Sequence, residues 1–484
     1  MNDKQIVIEP VSRVEGHGKV TLLVNDAGVV TQARLHIVEF RGFEKFIQGR
    51  PYWELPMVVQ RLCGICPVSH HLAAGKAIDM IAGVDQLSAP ALKLRRLMHF
   101  AQVLQSHALH FFHLASPDML FGFQSPIEQR NIVAVIRQYP DIAIKGVKIR
   151  KFGQQVLEAI SGKRIHGMAA MPGGMNAPLT RDKILPLANI VADITDWCEQ
   201  TVQLVQILTE QNADFHRQFG QITSPFLGLT GPQGELELYD GKLRVMAANG
   251  TLLQDQFPCA RYFDLIQEQV KSWSYMKFPF LIQQGPDQGW YRVGPLARIN
   301  ICDHITTPRA EQSRQMFKQR NGAPAQSPLL FHWARMIEAL HCAEAIAELL
   351  QDADILSDDL QRSGNKRHEG IGVIEAPRGT LFHHYQIDDE DRVTMANLIV
   401  STTSNNQAMN ETIRSVAHQH LDGKQLTPEL LNLVEVAIRA YDPCLSCATH
   451  AIGKMPLEVI LLDETGQPID RLEKRADGRI VRRR

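Results

Sequence analysis

The sequence has no apolar run long enough to cross a membrane. A spanning helix needs about 20 such residues, and none of its hydrophobic stretches approaches that length. It also lacks an excess of either charge. Lys and Arg number 51 against 52 Asp and Glu, for a net charge of −1, so no bulk attraction to nucleic acid or an anionic membrane is expected. Aromatic residues are only 7%, too few for a base-stacking platform. No Gly-x-Gly-x-x-Gly follows a strand, which argues against a dinucleotide fold and against NAD or FMN on this chain. The first residues, Met1 to Gln5, have no apolar signal core behind them. A cytoplasmic location is therefore expected, although a partner subunit could carry an export signal for a complex. No internal repeat and no low-complexity linker interrupts the chain. Cysteine is scarce, at eight in 484 residues, and a disulfide framework is not expected in a long chain of this kind.

What remains is ordinary soluble-protein composition, 44% hydrophobic and 21% charged. The length allows one large core or two to three domains. Residues 19–24 and 29–38 alternate apolar and polar around a turn at 25–28, which predicts a β-hairpin within the first 40 residues. Helical spacing predicts helices over 67–81, 90–115, 184–220 and 328–350. A further helix is expected over 428–440, with Thr427 as its cap and an end forced before Pro443. Residues 222–255 and 371–400 read as irregular loops with short strands, and 351–370 as a polar exposed loop. The fold class expected is mainly α, a large helical-bundle core with small peripheral β elements.

Four cysteines stand alone, at 198, 259, 302 and 342, and read as buried apolar thiols. The other four form two Cys-x-x-Cys pairs near opposite ends, Cys63 with Cys66 and Cys444 with Cys447. Two intervening residues let both sulfurs of a pair reach one ion. Cys63 and Cys66 also precede a helix N-terminus, which favours thiolate over thiol. Four thiolates suit zinc, nickel, copper(I) or iron clusters. A structural zinc site is the plainest reading of the spacing alone. Against it stand the distance between the pairs along the chain, the Arg, Asp, His and Glu around them, and a body too large to need zinc to fold. A dithiol redox pair is a third reading, but no thioredoxin-like βαβ pattern surrounds either pair.

Five segments carry a more specific resemblance. They are Arg-Val-Glu-Gly-His at 13–17, Arg-Gly-Phe-Glu at 41–44, Arg-Leu-Cys-Gly-Ile-Cys at 61–66, Ala-Pro-Arg-Gly at 376–379 and Asp-Pro-Cys-Leu-Ser-Cys-Ala-Thr-His at 442–450. In these, and in their order, the chain resembles nickel–iron hydrogenase large subunits over essentially its whole length. The C-terminal motif and the segment 455–459 are most similar to the cytoplasmic, NAD-reducing bidirectional branch.

The resemblance implies reversible splitting of dihydrogen at one nickel and one iron. All four cysteines would hold nickel, with Cys66 and Cys447 bridging to an iron that carries cyanide and carbon monoxide. Pro377, Ser401 and Thr402 would contact that centre. Glu15, on its own a plain surface charge, would carry protons beside a terminal cysteine. Arg378, which could otherwise pair with Glu375, would hang over the open metal face, held by Asp118 and Asp442. His70 would hydrogen-bond near the bridging Cys66. Glu44, His450 and the carbonyl of Leu398 would bind a hard cation, magnesium. His99, His107, His110 and His113 share about a third of one helix circumference. They read either as a proton relay or as rings satisfied one by one.

No further cysteine cluster can hold an iron–sulfur centre, so electrons need another chain. The resemblance implies an iron–sulfur small subunit, joined in this branch by flavin- and iron–sulfur-bearing diaphorase subunits. It also implies nickel-insertion chaperones and a maturation protease. The catalytic domain would span 1–450, and the extension 451–484 would be cut away after His450 or Ala451. Residues 459–462 read as a strand and 464–467 as a turn. Two other classes remain at this point: a zinc-stabilised interaction protein, and a non-catalytic scaffold like the related quinone-binding subunit of respiratory complex I, which lacks the cysteine pairs.

Overall fold

The computed structural model describes residues 4–39, 42–423, 427–449, 457–462, 468–474 and 479–483. Its centre is a set of long helices. Ala89–Leu109 packs against Pro140–Ser161 and Leu330–Leu349, and Val191–Gln211 lies against Leu330–Leu349. Among the described residues, none of the helices is both long and apolar enough to cross a membrane. One dominant apolar cluster runs through these helices and takes in all four paired cysteines.

Local chemistry explains most helix ends. Ser88 Oγ accepts from Ala91 N at 3.3 Å and caps Ala89–Leu109, with Pro90 in the first turn. Thr427 Oγ1 accepts from Leu430 N at 3.3 Å and caps Pro428–Ala440, as expected. The helix expected over 90–115 does not run straight through. It passes into a π-helical turn at His110–Ala115 before Ser116–Phe121. The helix expected over 184–220 is three helices, Arg181–Ala188, Val191–Gln211 and Ala213–Gln218. Asn212 adopts non-helical angles at the second break. Among the helices of more than ten residues, three have no counterpart in the sequence reading: Pro140–Ser161, Pro308–Asn321 and Asn406–His420.

The predicted hairpin is Gly18–Val24 paired with Val30–Ile37, and Lys4–Ile8 adds a third antiparallel strand. Asn25 Oδ1 accepts from the amides of Ala27 and Val29 and fixes the turn. The larger correction concerns residues 371–400. They are not irregular: Glu369–Ala376, Gly379–Ile387 and Val393–Ile399 form a three-stranded antiparallel sheet. Residues 222–255 likewise contain most of a second sheet, Phe226–Thr230, Lys242–Met246 and Leu252–Phe257. Three of these six strands, Phe226–Thr230, Glu369–Ala376 and Gly379–Ile387, are buried on both faces, so they carry no period of two for a sequence reading to find. Helix Pro67–Ile81 lies directly on the first of these sheets. A Cβ at Gly372 would stand 2.0 Å from Ala73 O, so only glycine permits that approach.

The segment 351–370 is mostly exposed, apart from the short turn Ala353–Leu356. Near the C-terminus, Leu457–Leu462, Pro468–Lys474 and Ile480–Arg483 form an antiparallel sheet. The strand expected at 459–462 belongs to it, and the turn expected at 464–467 lies outside the described residues.

Candidate metal centre

Each cysteine pair is placed by the element beside it. The turn Val59–Leu62 stops at Cys63, whose backbone is extended. Cys66 immediately precedes helix Pro67–Ile81. The amides of Ile65 and Cys66 both point at Cys63 Sγ, each at 3.2 Å. The second pair follows helix Pro428–Ala440, where Asp442 turns the chain with a left-handed φ of 54°. Cys444 N then donates to Thr402 Oγ1 at 2.9 Å.

The four sulfurs meet in the core. Cys63 Sγ is 3.3 Å from Cys444 Sγ, Cys66 Sγ is 3.8 Å from Cys447 Sγ, and Cys444 Sγ is 2.8 Å from Cys447 Sγ. All four lie within 4.8 Å of one another and are buried. Sulfurs bound at about 2.3 Å to one tetrahedral ion would stand about 3.8 Å apart. The Cys66–Cys447 separation equals that value and the other two are shorter, so all four sulfurs are within reach of one ion. Burial pushes the Cys444 and Cys447 thiols well up, while hydrogen bonds from Cys444, then Cys447 and Cys63, pull Cys66 well down. Metal binding replaces the remaining protons.

Arg378 stands beside the sulfurs at the tip of the hairpin between Glu369–Ala376 and Gly379–Ile387. Its Nε donates to Asp442 O at 2.5 Å and its Nη2 to Asp442 Oδ1 at 3.1 Å. Its Nη1 is buried without a hydrogen-bond partner, and so is Asp442 Oδ2. Burial opposes the charge, but Asp442 and the neighbouring sulfurs of Cys444, Cys66 and Cys63 hold the guanidinium well above its ordinary pKa. A small cavity of about 10 Å³ adjoins it. Cys66, Ser69, His70, Ala376, Pro377, Arg378, Leu381, Val400, Ser401, Thr402 and Cys444 form its walls. Pro377, Ser401 and Thr402, the residues named from sequence as cofactor contacts, are thus on one wall system with two of the cysteines.

His70 lines the same cavity and hydrogen-bonds Cys66, which helps to lower that thiol. Its Nδ1 is 3.1 Å from His383 Nε2, and His383 Nδ1 is 2.6 Å from Tyr385 Oη. Glu15 lies along the second pair. Its carbonyl accepts from Leu445 N at 3.0 Å, its Oε2 from Ser446 N at 3.1 Å, and its Oε1 from Ser446 Oγ. Glu44 is buried, and its Oε1 accepts from Leu398 N at 2.9 Å, so Leu398 meets it through the amide. His450, the third expected ligand there, lies outside the described residues.

One placement differs from expectation. Asp118 does not hold Arg378. Its Oδ1 takes Arg13 Nη2 at 2.7 Å and its Oδ2 takes Arg439 Nη1 at 2.5 Å. The chain after the π-helical turn carries it to the N-terminal segment, and Asp442 alone of the two carboxylates reaches Arg378. The histidines of helix Ala89–Leu109 and its extension point to separate partners. His99 Nε2 meets the carbonyls of Leu238 and Glu375, His107 Nε2 meets Glu338, and His110 Nε2 meets Arg439 O. Of the lone cysteines, 198, 302 and 342 are buried and Cys259 is half-buried.

Sequence reasoning missed the buried support of the Arg378 hairpin. Arg298 donates to both oxygens of Glu338 at 2.6 Å, to Glu375 at 2.7 Å and to the carbonyls of Ala376 and Pro377. Glu375 therefore pairs with Arg298, not with Arg378. A charged residue inside an apolar helical run, as Arg298 and Glu338 are, was the available signal. It also missed Lys277, 3.1 Å from Glu268 and 3.9 Å from Glu44. Only the pairing of Phe278–Leu281 with Ile266–Gln269 brings those groups together.

Comparison with known proteins gives consistent relatives. A sequence model described as nickel-dependent hydrogenase matches residues 41–121 and 258–450, and one described as HoxL-like matches 5–40. The beta subunit of the NAD-reducing hydrogenase HoxS of Cupriavidus necator is 43% identical, covering 96% of this chain and 99% of that one. A polypeptide of the F420-non-reducing hydrogenase of Methanothermobacter marburgensis is 39% identical, covering 97% of this chain and 100% of that one. A crystal structure of an NAD+-reducing [NiFe]-hydrogenase in its H2-reduced state superposes with a TM-score of 0.91 at 53% identity, covering 92% of this chain and 99% of that one.

Proposed function

The chain belongs to the nickel-dependent hydrogenase family, and we propose that it is the catalytic large subunit of a cytoplasmic, NAD-linked nickel–iron hydrogenase. Its reaction is the reversible, heterolytic oxidation of dihydrogen to protons and electrons. The observation that carries this reading is the convergence of four buried sulfurs from two distant Cys-x-x-Cys pairs. The donor set suits nickel and iron. A structural zinc ion would accept the same four sulfurs, but it needs neither the adjoining cavity nor a buried guanidinium N–H without a partner.

When bound, the nickel–iron centre, with cyanide and carbon monoxide on the iron, supplies the acceptor for the two electrons of dihydrogen. Cys63, Cys66, Cys444 and Cys447 would hold it. Ala376, Pro377, Leu381 and Val400 keep water from the cavity, and Ser401 and Thr402 place hydroxyls at its edge. Arg378 presents a fixed positive charge there, and a fixed planar donor is worth far more in a dry site than in water. Asp442 orients that guanidinium through two hydrogen bonds. Glu15 takes the proton at its carboxylate from the Cys444 side. It is half-buried, so it touches both the buried loop and the outside, and Ser446 Oγ holds it in place. His70 tunes Cys66 through its hydrogen bond. Glu44, His450 and the carbonyl of Leu398 bind magnesium, a reading supported by the burial of Glu44 beside Leu398.

Among the described residues only these four cysteines form a group that could bind a metal ion. Electrons therefore leave through an iron–sulfur small subunit, from which flavin- and iron–sulfur-bearing diaphorase subunits pass them to NAD. Residues 1–450 are the working domain. Nickel-insertion chaperones load it, and a protease then removes 451–484, in keeping with a family match that ends at residue 450. The test is metal analysis and infrared spectroscopy of the purified complex. Nickel and iron together, with bands of metal-bound cyanide and carbon monoxide, are expected. Zinc alone, or no such bands, overturns the reading.

A further inference from the structure

We propose that Asp118 is a positioning residue, the knot of a buried clasp that holds Glu15 against the C-terminal cysteine loop. The proposal rests on the role given to Glu15 above. Two segments far apart in sequence, the N-terminal arm and helix Pro428–Ala440, converge on this one carboxylate. Its Oδ1 accepts from Arg13 Nη2 at 2.7 Å and Asn432 Nδ2 at 3.3 Å, and its Oδ2 accepts from Arg439 Nη1 at 2.5 Å. The side chains of Asp118 and Arg439 are only 4% and 2% exposed, so the ion pair is nearly out of water.

Each arginine ties in one strand of the site. Arg13 Nη1 also donates to Leu114 O at 2.8 Å, which pins the N-terminal segment to the π-helical turn two residues before Glu15. Arg439 Nη2 donates to Ser12 O at 3.0 Å, and Ser12 N donates to Glu435 at 2.6 Å. The segment carrying Glu15 is thereby laced onto helix Pro428–Ala440, the same helix that delivers Asp442 and Cys444. Arg13 adopts a left-handed φ of 53°, which a non-glycine residue keeps only when its surroundings hold it. The outcome is the register in which Glu15 O meets Leu445 N and Glu15 Oε2 meets Ser446 N. Asp118 forms no hydrogen bond with the cysteines or with Arg378, and its arm through Arg13 ends two residues before Glu15.

Asp118→Asn keeps the shape but leaves two guanidinium groups facing an amide. In the holoenzyme complex, hydrogen–deuterium exchange should accelerate by about tenfold or more at the amides of Leu445 and Ser446. Metal content and the infrared bands of the metal ligands should be unchanged. Turnover should fall with the KM for dihydrogen unmoved. In a Glu15→Gln background Asp118→Asn should cause no further fall, because both act at one step. Should Asp118→Asn fail to fold, Arg13→Gln decides. It keeps the buried Asp118–Arg439 pair and removes only the arm to Glu15, and the same loosening at Leu445 and Ser446 is expected. Unchanged exchange in a folded variant overturns the clasp, and so does a turnover loss that adds to that of Glu15→Gln. If Glu15→Gln by itself leaves turnover intact while the amides loosen as stated, the clasp stands and the proton role of Glu15 falls.

Discussion

Acid should unfold this protein unusually steeply, and the buried histidines set the slope. Burial lowers His71, His107, His216 and His341 to about 4 and His99 to about 3, from an ordinary 6.5. Each ring is neutral in the folded chain. In the unfolded chain each takes up a proton near pH 6.5, so between the two values the unfolded state binds more protons. Stability is therefore complete above about pH 6.5 and is lost as pH falls towards 4. One such ring costs about 1.4 kcal/mol per pH unit. Five together cost about 7 kcal/mol per pH unit, against a total stability of about 5–15 kcal/mol for a typical protein. Glu338, held at about 2 by its partner Arg298 against the cost of burial, adds loss in the same direction at lower pH. Thermal unfolding of the holoenzyme complex at pH 7.5, 6.5 and 5.5 measures this. Little change is expected between the first two and a collapse at the third. His341→Gln removes one titrating ring and should flatten the slope by about 1.4 kcal/mol per pH unit. A melting temperature level from pH 7.5 to 5.5 would refute the reasoning, since it would mean that these rings are protonated in the fold.

Three further outcomes follow from the site. Arg378→Lys keeps a charge but cannot make both contacts to Asp442, so hydrogen-dependent dye reduction should drop by about 10²–10³ with nickel retained. A near-normal rate would make Arg378 structural. Gly16→Ala forces a φ of 81° on a residue with a Cβ and drives that Cβ to 2.8 Å from Ser446 N. It should cost about 1–2 kcal/mol of stability and displace Glu15, read as a lower melting temperature together with slower turnover. An unchanged protein would show that the Glu15–Ser446 contact does not need this close approach. Intact mass spectrometry of the active, nickel-containing polypeptide should find an end at residue 450 or 451. An active polypeptide ending at Arg484 would make the C-terminal sheet a permanent part of the enzyme.

Elements whose signal is local were legible in the sequence. Helix Pro67–Ile81 follows a cysteine and opens on proline, and Pro428–Ala440 has its cap in Thr427 and its stop in Asp442 and Pro443. The hairpin at Gly18–Val24 and Val30–Ile37 announces itself by alternation and by Asn25 at its turn. Strands Glu369–Ala376 and Gly379–Ile387 gave no such signal. Nearly every side chain along them is buried, and buried polar groups such as Glu375, Thr380, His383 and His384 stand among the apolar ones, so no period of two emerges. Gly370 and Gly372 let helix Pro67–Ile81 sit directly on the sheet, where a Cβ would meet the carbonyls of Ala77 and Ala73 at 2.0 Å.

The same division runs through the metal centre. A Cys-x-x-Cys pair chelates by itself, so each half of the sulfur cluster is visible within four residues. What holds the cluster's surroundings in place is ionic and non-local. Arg298 joins a helix to a hairpin through Glu338 and Glu375, and Asp118 joins the N-terminal arm to the C-terminal helix through Arg13 and Arg439. Such buried pairs contribute little net stability against an apolar replacement, yet losing one partner is severe. Their value here is geometric. The Arg298 network fixes the carbonyls of Ala376 and Pro377, and so the point from which Arg378 reaches Asp442. An apolar core could fill that volume, but it could not dictate where a single guanidinium stands beside Cys66 and Cys444.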